Sequence, residues 1–556
     1  MTVRLSEWLH RTQRDDPSEA DLPGYRLLHR GGYLRRTAPG EYAWLPLGHR
    51  LVTRFEALLR KESAELGASE LLLATAGEPE VFAQLAREMI ASHRDLPRTL
   101  QQFQDAPAQS WRQGAGPLYG RRQRIHEQFT YTHDRAQLQE ARDSIRAMYL
   151  RIFRTLGLTA HAVPAALDAD GAAPEELLIV PFAAGRETYL ESAGGYRAAP
   201  AAYRTPVPTA PPAVGLEQPL VFATPGAETI SSLVELSNAV LPRTDGRAWR
   251  AADALKHVIL ALDTGSGERE LVIVGLPGDR EVDQERAHSA FGVPVQPASP
   301  EDLRRHPELI PGYLGPVQGG KQLLGTAGSS GIRYLLDPRV TDGSVWLSGA
   351  NVPGEHVANL VKGRDFTADG TIDIAEVRAG DPAPDGSGPL RLVRGVSLGS
   401  LMLQGEVPGL ALPGSDGRRS PVLLVSARVA ITRLLALLAE LKHDDSGLLW
   451  PPAVAPFDVQ LLLLGRDTAT GDAATELAAS LSGRGLDVLL DDRPKVSPGV
   501  KFTDAELLGI PYLIVVGRAA ADGRVELRER SSGRRIELDI AGLARSPQWP
   551  PVSLNE

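Results

Sequence analysis

The stretch from Trp450 to the C-terminus constrains the fold more than any other part of this chain. Strand and helix patterns alternate there: a strand at 459–464, a helix at 473–482, a strand at 487–490, a helix at 503–508 and a strand at 512–516. That alternation is the pattern of a small α/β domain. The whole chain has 556 residues, too many for one ordinary core, so three or four domains are expected. Apolar residues at 42% and charged residues at 23% supply enough surface for several cores.

Upstream, residues 44–66 place Leu47, Leu51, Phe55, Leu58 and Leu59 at helical spacing, and Gly67 stops that helix. Residues 70–73 read as a short buried strand. A second amphipathic helix spans 134–155, with Leu138, Ile145, Met148, Tyr149 and Ile152 on one face. Residues 198–217 are Ala/Pro-rich and read as a linker. A new unit opens at Leu220-Val221-Phe222, contains a strand at 271–274 followed by Gly275, and ends near the polar Gly/Pro-rich stretch 379–389. Residues 419–440 combine a strand with a helix. The resulting division is 1–219, 220–380, 381–449 and 450–556, with the first and third parts forming one domain around the second.

The net charge of −9 gives no global field for nucleic acid, so any RNA binding must use local Arg/Lys patches. The chain has no cysteine, which excludes disulfides, thiolate nucleophiles and cysteine-based zinc sites. Its 12 histidines are scattered without close pairs, so no structural metal is expected. The N-terminus is polar and amphipathic rather than a signal peptide, and the longest apolar runs fall far short of a membrane span. A cytoplasmic protein is expected.

Residues 487–517 read DVLLDDRPKVSPGVKFTDAELLGIPYLIVVG. This run resembles the anticodon-binding domain of class II aminoacyl-tRNA synthetases, and WPPAVAPFDVQLLLL (450–464) resembles the way that domain opens in the bacterial-type prolyl-tRNA synthetase family. Unstacked anticodon bases are read by stacking and by hydrogen bonds to their edges. Phe502 offers a stacking face, Arg493 and Lys501 suit phosphates or guanine acceptors, and Asp504 and Glu506 suit guanine amino groups. Asp504 equally suits the dipole-favoured first turn of a helix.

Two more regions carry the resemblance. Gly32-Tyr33-Leu34-Arg35-Arg36 and Gly40-Glu41-Tyr42-Ala43-Trp44-Leu45-Pro46-Leu47-Gly48 are similar to the opening of the family's catalytic domain, and residues 67–72 to its dimer-forming motif 1. Thr224-Pro225-Gly226, Gly312-Tyr313-Leu314-Gly315-Pro316 and Ser348-Gly349-Ala350-Asn351 are similar to its editing insertion. The resemblance implies a multidomain α+β and α/β protein: a class II antiparallel sheet core, an inserted α/β editing-like domain and a C-terminal α/β anticodon-binding-like domain. It also implies a tRNA partner of the proline type, a homodimer, and no DNA or membrane partner.

The pattern departs from the family where ATP and proline should bind. Class II motif 2 carries an arginine and a glutamate, and this chain reads Ala108 and Ser110 there. The proline-pocket stretch becomes Gly77-Glu78-Pro79-Glu80, and the residues that normally precede it are missing. Motif 1's proline is replaced by Ala74. The motif 3 glycines become Val425, Arg428 and Ala430. Arg433 and Arg121 persist as vestiges of an ATP site. Losing one preorganised electrostatic contact costs about 3–4 kcal/mol, so the family's ATP and magnesium are expected to bind weakly or not at all.

In the editing-like region the candidate pocket residues are Thr224, Gly312, Pro316, Gly349 and Arg286, the last standing in for a family lysine. Arg286 keeps the charge in a planar fork that differs from an ammonium, and an ordinary helix position is the competing reading. The functional expectation is a synthetase-like protein that binds tRNA and hydrolyses mischarged tRNA. The alternatives are a non-enzymatic tRNA-binding partner, a proline–tRNA ligase with an unusual site, and a homologue recruited to biosynthesis.

Overall fold

The computed structural model describes residues 1–551 other than 74–78, 109–114, 169–170, 210–216, 244–245, 266–268, 414–416, 466 and 547. Two compact units emerge. One comprises Met1–Ala162, Glu175–Pro181 and Val396–Glu556; the other comprises Val163–Pro174 and Phe182–Gly395.

The first unit holds two large sheets and, among its described residues, the two-stranded pair Leu34–Ala38 and Glu41–Trp44. In one, Arg98–Pro107, Arg122–Thr132, Arg419–Ala430 and the later part of Leu390–Pro413 run antiparallel, and Ala68–Glu70 adds in parallel at the Arg98–Pro107 edge. Three helices accompany it: Pro46–Glu65, Arg135–Thr155 and Ile431–Leu441. Asp134 caps the second of these by accepting from the Gln137 N–H. The third is apolar on nearly every side, as a helix enclosed by protein must be. The expected strand at 70–73 forms slightly earlier, at Ala68–Glu70, and Leu72 is 92% exposed. The ladder on Arg98–Pro107 covers Ala68, Ser69 and Glu70, and Leu71 adds one last bond from its N–H to the Gln101 carbonyl at 2.9 Å; Leu71 and Leu73 pack on the core while Leu72 points away.

The other sheet of this unit has six strands. Val459–Leu463, Val488–Asp491 and Tyr512–Val516 run parallel at its centre, as the alternation requires, and Arg524–Glu529 and Arg535–Asp539 extend it antiparallel. Thr2–Arg4 adds the remaining strand, parallel to Val488–Asp491. Nothing in local pattern announced that pairing across almost the whole chain. Helix Pro498–Leu508 starts five residues before the expected 503, because Ser497 caps it and Pro498 occupies its first turn.

In the second unit, Leu255–Asp263 and Arg269–Pro277 centre a five-stranded sheet, and Leu220–Ala223, Glu355–Val361 and Val345–Gly349 form a three-stranded one. The linker expected at 198–217 is corrected over its first part: Tyr203 is fully buried against Leu190, Val377, Ala383 and Leu390, and Thr205 donates from both its N–H and its hydroxyl to Asp373. The polar stretch near 380 is likewise packed, with Asp381 gripped by both terminal nitrogens of Arg280 at 2.6 and 2.7 Å. Proline-rich composition fixes backbone angles but leaves burial to tertiary partners.

No helix among the described residues is long and apolar enough to cross a membrane. Among those residues no group of three His, Asp or Glu side chains is placed to hold a metal ion.

Candidate functional sites

The antiparallel sheet presents the face on which the resemblance places ATP and proline. Residues directly opposite one another in an antiparallel pair share a face. Gln102, Glu127, Arg428 and Ser400 therefore form one row across four strands. Gln102 donates to Glu127 at 2.8 Å, Gln104 donates to the same carboxylate oxygen, and Arg428 Nε stands 3.7 Å from the other. Further along the same face, Phe82 of helix Pro79–Met89 stacks on Phe129 with ring centroids 3.6 Å apart, and the Tyr131 hydroxyl donates to the Phe82 carbonyl at 2.9 Å. Val407, Leu410, Leu412, Val422 and Leu424 close an apolar cluster around them.

Ala108 supplies no cation, and Arg428 projects where glycine would leave backbone bare, already facing a carboxylate. Val425 needs a correction: it pairs with Thr130, lies on the opposite face and is fully buried, so it blocks nothing here. Arg433 lies near the start of helix Ile431–Leu441, partly buried. Its guanidinium donates to the Leu118 and Ser397 carbonyls, both at 3.1 Å. Arg121 stays at the surface, its backbone bonded to Gly40 and Ala108. Ala74, Gly77, Glu78 and Ser110 lie outside the described residues, as do the side chains of Pro79 and Glu80.

In the second unit, four of the five expected pocket residues come together. The Thr224 hydroxyl lies 2.6 Å from His356 Nδ1, both side chains being buried. His356 stands in register between Phe222 and Gly349, and the Tyr313 ring lies 5.3 Å from its imidazole. Burial pushes His356 down to about 4, so the ring is neutral at physiological pH. Gly315 packs directly on Gly349, whose carbonyl would lie 1.8 Å from any added Cβ. The Asn351 amide donates to the Gly315 and Val317 carbonyls and accepts from the Gly315 N–H. Gly312, at φ +80°, and Pro316 bound this loop. His356 was missed because a single histidine inside a strand carries no spacing signal.

Arg286 does not join them. It is 2% exposed, donates to the Pro200, Tyr203 and Asp373 carbonyls, and pairs with the Asp373 carboxylate at 2.5 Å. Its planar fork, with several donors in fixed directions, suits such an interior junction. It is a structural tie.

The five expected anticodon-reading residues also divide. Arg493 donates to Asp491 and to Asp504 at 2.6 and 2.8 Å, and those bonds, Asp491's first, hold its proton more firmly than usual. Lys501 Nζ is buried and donates to the Leu463 and Asp491 carbonyls; burial lowers its affinity for its proton. Asp504 is buried and also accepts from Thr12. These three are linked through Asp491 into one bonded network, with Lys501 and Asp504 buried and the Arg493 side chain 23% exposed. Phe502 and Glu506 remain accessible, and Arg528 lies over the Phe502 ring at 4.6 Å. Beside them Gln460, Leu513, Arg528 and Arg535 stand in one row across the sheet and line a cavity of about 100 Å³ with Glu506 and Arg530. The Gln460 amide, 1% exposed, has no partner at either end among the described residues. The alternation of Arg524, Glu526 and Arg528 along one strand was the available clue to this face.

Residues 458–545 match the anticodon binding domain family and residues 226–366 the aminoacyl-tRNA editing domain family. The two together define the class, an aminoacyl-tRNA synthetase. Over 581 aligned positions the chain is 44% identical to a proline–tRNA ligase of Leifsonia xyli, covering 97% of this chain and 98% of that one. It is 43% identical to the proline–tRNA ligase of Clavibacter sepedonicus, covering 98% and 99%. The chain belongs to the bacterial-type prolyl-tRNA synthetase family. The solved structure of Giardia lamblia prolyl-tRNA synthetase in complex with prolyl-adenylate shares the fold, with a TM-score of 0.50 at 12% identity, covering 93% of this chain and 75% of that one.

Proposed function

We propose that this family member engages tRNA through residues 450–556, hydrolyses mischarged tRNA in its central part, 220–380, and no longer activates proline with ATP on the sheet built from 1–219 and 381–449. The observation that carries the loss of activation is the sheet face itself, where Arg428 faces Glu127 and Phe82 stacks on Phe129. Alignment length supports it. The 97% of 556 residues matched to the Leifsonia relative is about 540, so about 40 of the 581 positions have no counterpart here.

The hydrolytic reading rests on the Thr224–His356 pair beside the backbone of 312–316 and Gly349. A proline pocket cannot strongly exclude alanine, since each missing methylene is worth about 1–3 kcal/mol, so a second, smaller sieve is useful. Water adds to the ester carbonyl, the tRNA 3′-oxygen departs, and free alanine leaves. The test is release of labelled alanine from purified alanyl-tRNA bearing the proline anticodon. Release no faster than in buffer removes this reading.

One observation favours a second reading, a non-enzymatic tRNA-binding partner: the expected pocket cation, Arg286, is held inside the fold. Sequencing of RNA that copurifies with the protein tests what both readings share, and enrichment of proline tRNA is expected. The resemblance also carries a homodimer and a cytoplasmic setting; sedimentation of the purified protein tests the former.

A further inference from the structure

The loop 312–316 is gripped from a side that the hydrolytic reading does not use. His257, on strand Leu255–Asp263, places Nδ1 at 3.1 Å from the Leu314 carbonyl and Nε2 at 2.8 Å from the Tyr334 hydroxyl. A carbonyl only accepts, so Nδ1 carries the proton. The neutral ring then accepts at Nε2, and Tyr334 donates. Burial sets this polarity: it pushes His257 down to about 4 and raises the Tyr334 phenol well above its ordinary range. Space for the hydroxyl comes from Gly275, directly opposite His257 on the neighbouring strand, where an added Cβ would lie 2.8 Å from the Tyr334 oxygen.

The Leu314 carbonyl and the Gly315 N–H belong to one peptide group. Asn351 Oδ1 accepts from that N–H at 3.2 Å, while His257 donates to that carbonyl. The peptide plane is therefore held at both polar ends and cannot flip without breaking two buried hydrogen bonds, each costly to leave unmade. We propose that His257, directed by Tyr334, is a positioning residue that fixes the 314–315 peptide plane and so the shape of the pocket containing Thr224, His356 and Gly349. Its catalytic consequence rests on the hydrolytic reading above.

The experiment compares wild type with His257→Phe, which keeps a ring and removes both bonds, and with His257→Gln, whose amide donates and accepts as the imidazole does. Hydrolysis of alanyl-tRNA should fall at least tenfold in kcat for His257→Phe, with KM within twofold, and should recover mostly in His257→Gln. Deuterium exchange at the Gly315 amide should be faster in His257→Phe and Tyr334→Phe, a readout that does not require activity. If wild type hydrolyses nothing yet exchange accelerates, the hydrolytic reading fails and the clamp stands. If exchange in both variants matches wild type, or if wild type hydrolyses alanyl-tRNA and kcat is unchanged in His257→Phe, the positioning role is overturned. A variant that fails to fold shows accelerated exchange throughout the unit, and Tyr334→Phe, which deletes one oxygen, then decides.

Discussion

Replacing Arg286 with alanine separates a structural cation from a catalytic one. The guanidinium lies 1% exposed, with three backbone carbonyls and the Asp373 carboxylate as acceptors. Truncation leaves those carbonyls unmet and Asp373 supported, among the described residues, by the N–H and hydroxyl of Thr205. Removing one partner of a buried ion pair costs about 3–5 kcal/mol, because the other charge stays buried. Thr205 offsets part of that, so a loss near the lower end, about 3 kcal/mol, is expected. Arg286→Lys should fall between, keeping the charge but not the fork. The assay is urea-dependent hydrogen exchange in peptides covering 200–205 and 370–376, which reports this unit alone. A phosphate clamp at the surface would show no such loss, so stability within about 1 kcal/mol of wild type would refute the interior assignment.

In the C-terminal α/β part, Phe502→Ala and Arg528→Ala should each weaken tRNA binding, measured by filter binding at two salt concentrations, without lowering the thermal midpoint. Lys501→Ala should lower the midpoint instead; the reverse pattern contradicts the division drawn between reading face and internal network. Glu440 accepts from the Gly24 and Tyr25 N–H groups at 2.8 Å, and burial pushes it up from 4.5 to about 7. Its folded form thus holds a proton more tightly than the unfolded chain does. The stability it contributes is fully present below pH 4.5 and is lost as pH rises through 7, by up to about 3 kcal/mol. The difference in thermal midpoint between wild type and Glu440→Gln should therefore change between pH 5 and pH 8, and a constant difference would count against this.

Much of the fold was legible because it is local. The strand and helix alternation after Trp450 and the apolar face of Arg135–Thr155 follow from spacing that any window of the chain displays. What was not legible depends on partners far apart in sequence. Thr2–Arg4 is a strand only because Val488–Asp491 offers it an edge, and Tyr203 is buried only because Val377 and Leu390 meet it. The sites show the same limit. Residue type marked Thr224, Gly312 and Gly349, but type alone could not tell that Arg286, Lys501 and Asp504 turn inward, since a buried and an exposed cation look alike in sequence. His356 and His257 emerged only from register, which sets one opposite Gly349 and the other opposite Gly275.

Proline-dependent exchange of pyrophosphate into ATP tests most directly whether the sheet face has lost proline activation, as proposed. On the proposed reading, Ala108 stands where the resemblance expects a cation and Arg428 faces Glu127; each such loss would be worth about 10²–10³ in rate. No exchange above the proline-free background is expected at saturating ATP, magnesium and proline. Exchange within tenfold of an active prolyl-tRNA synthetase measured alongside would contradict that loss.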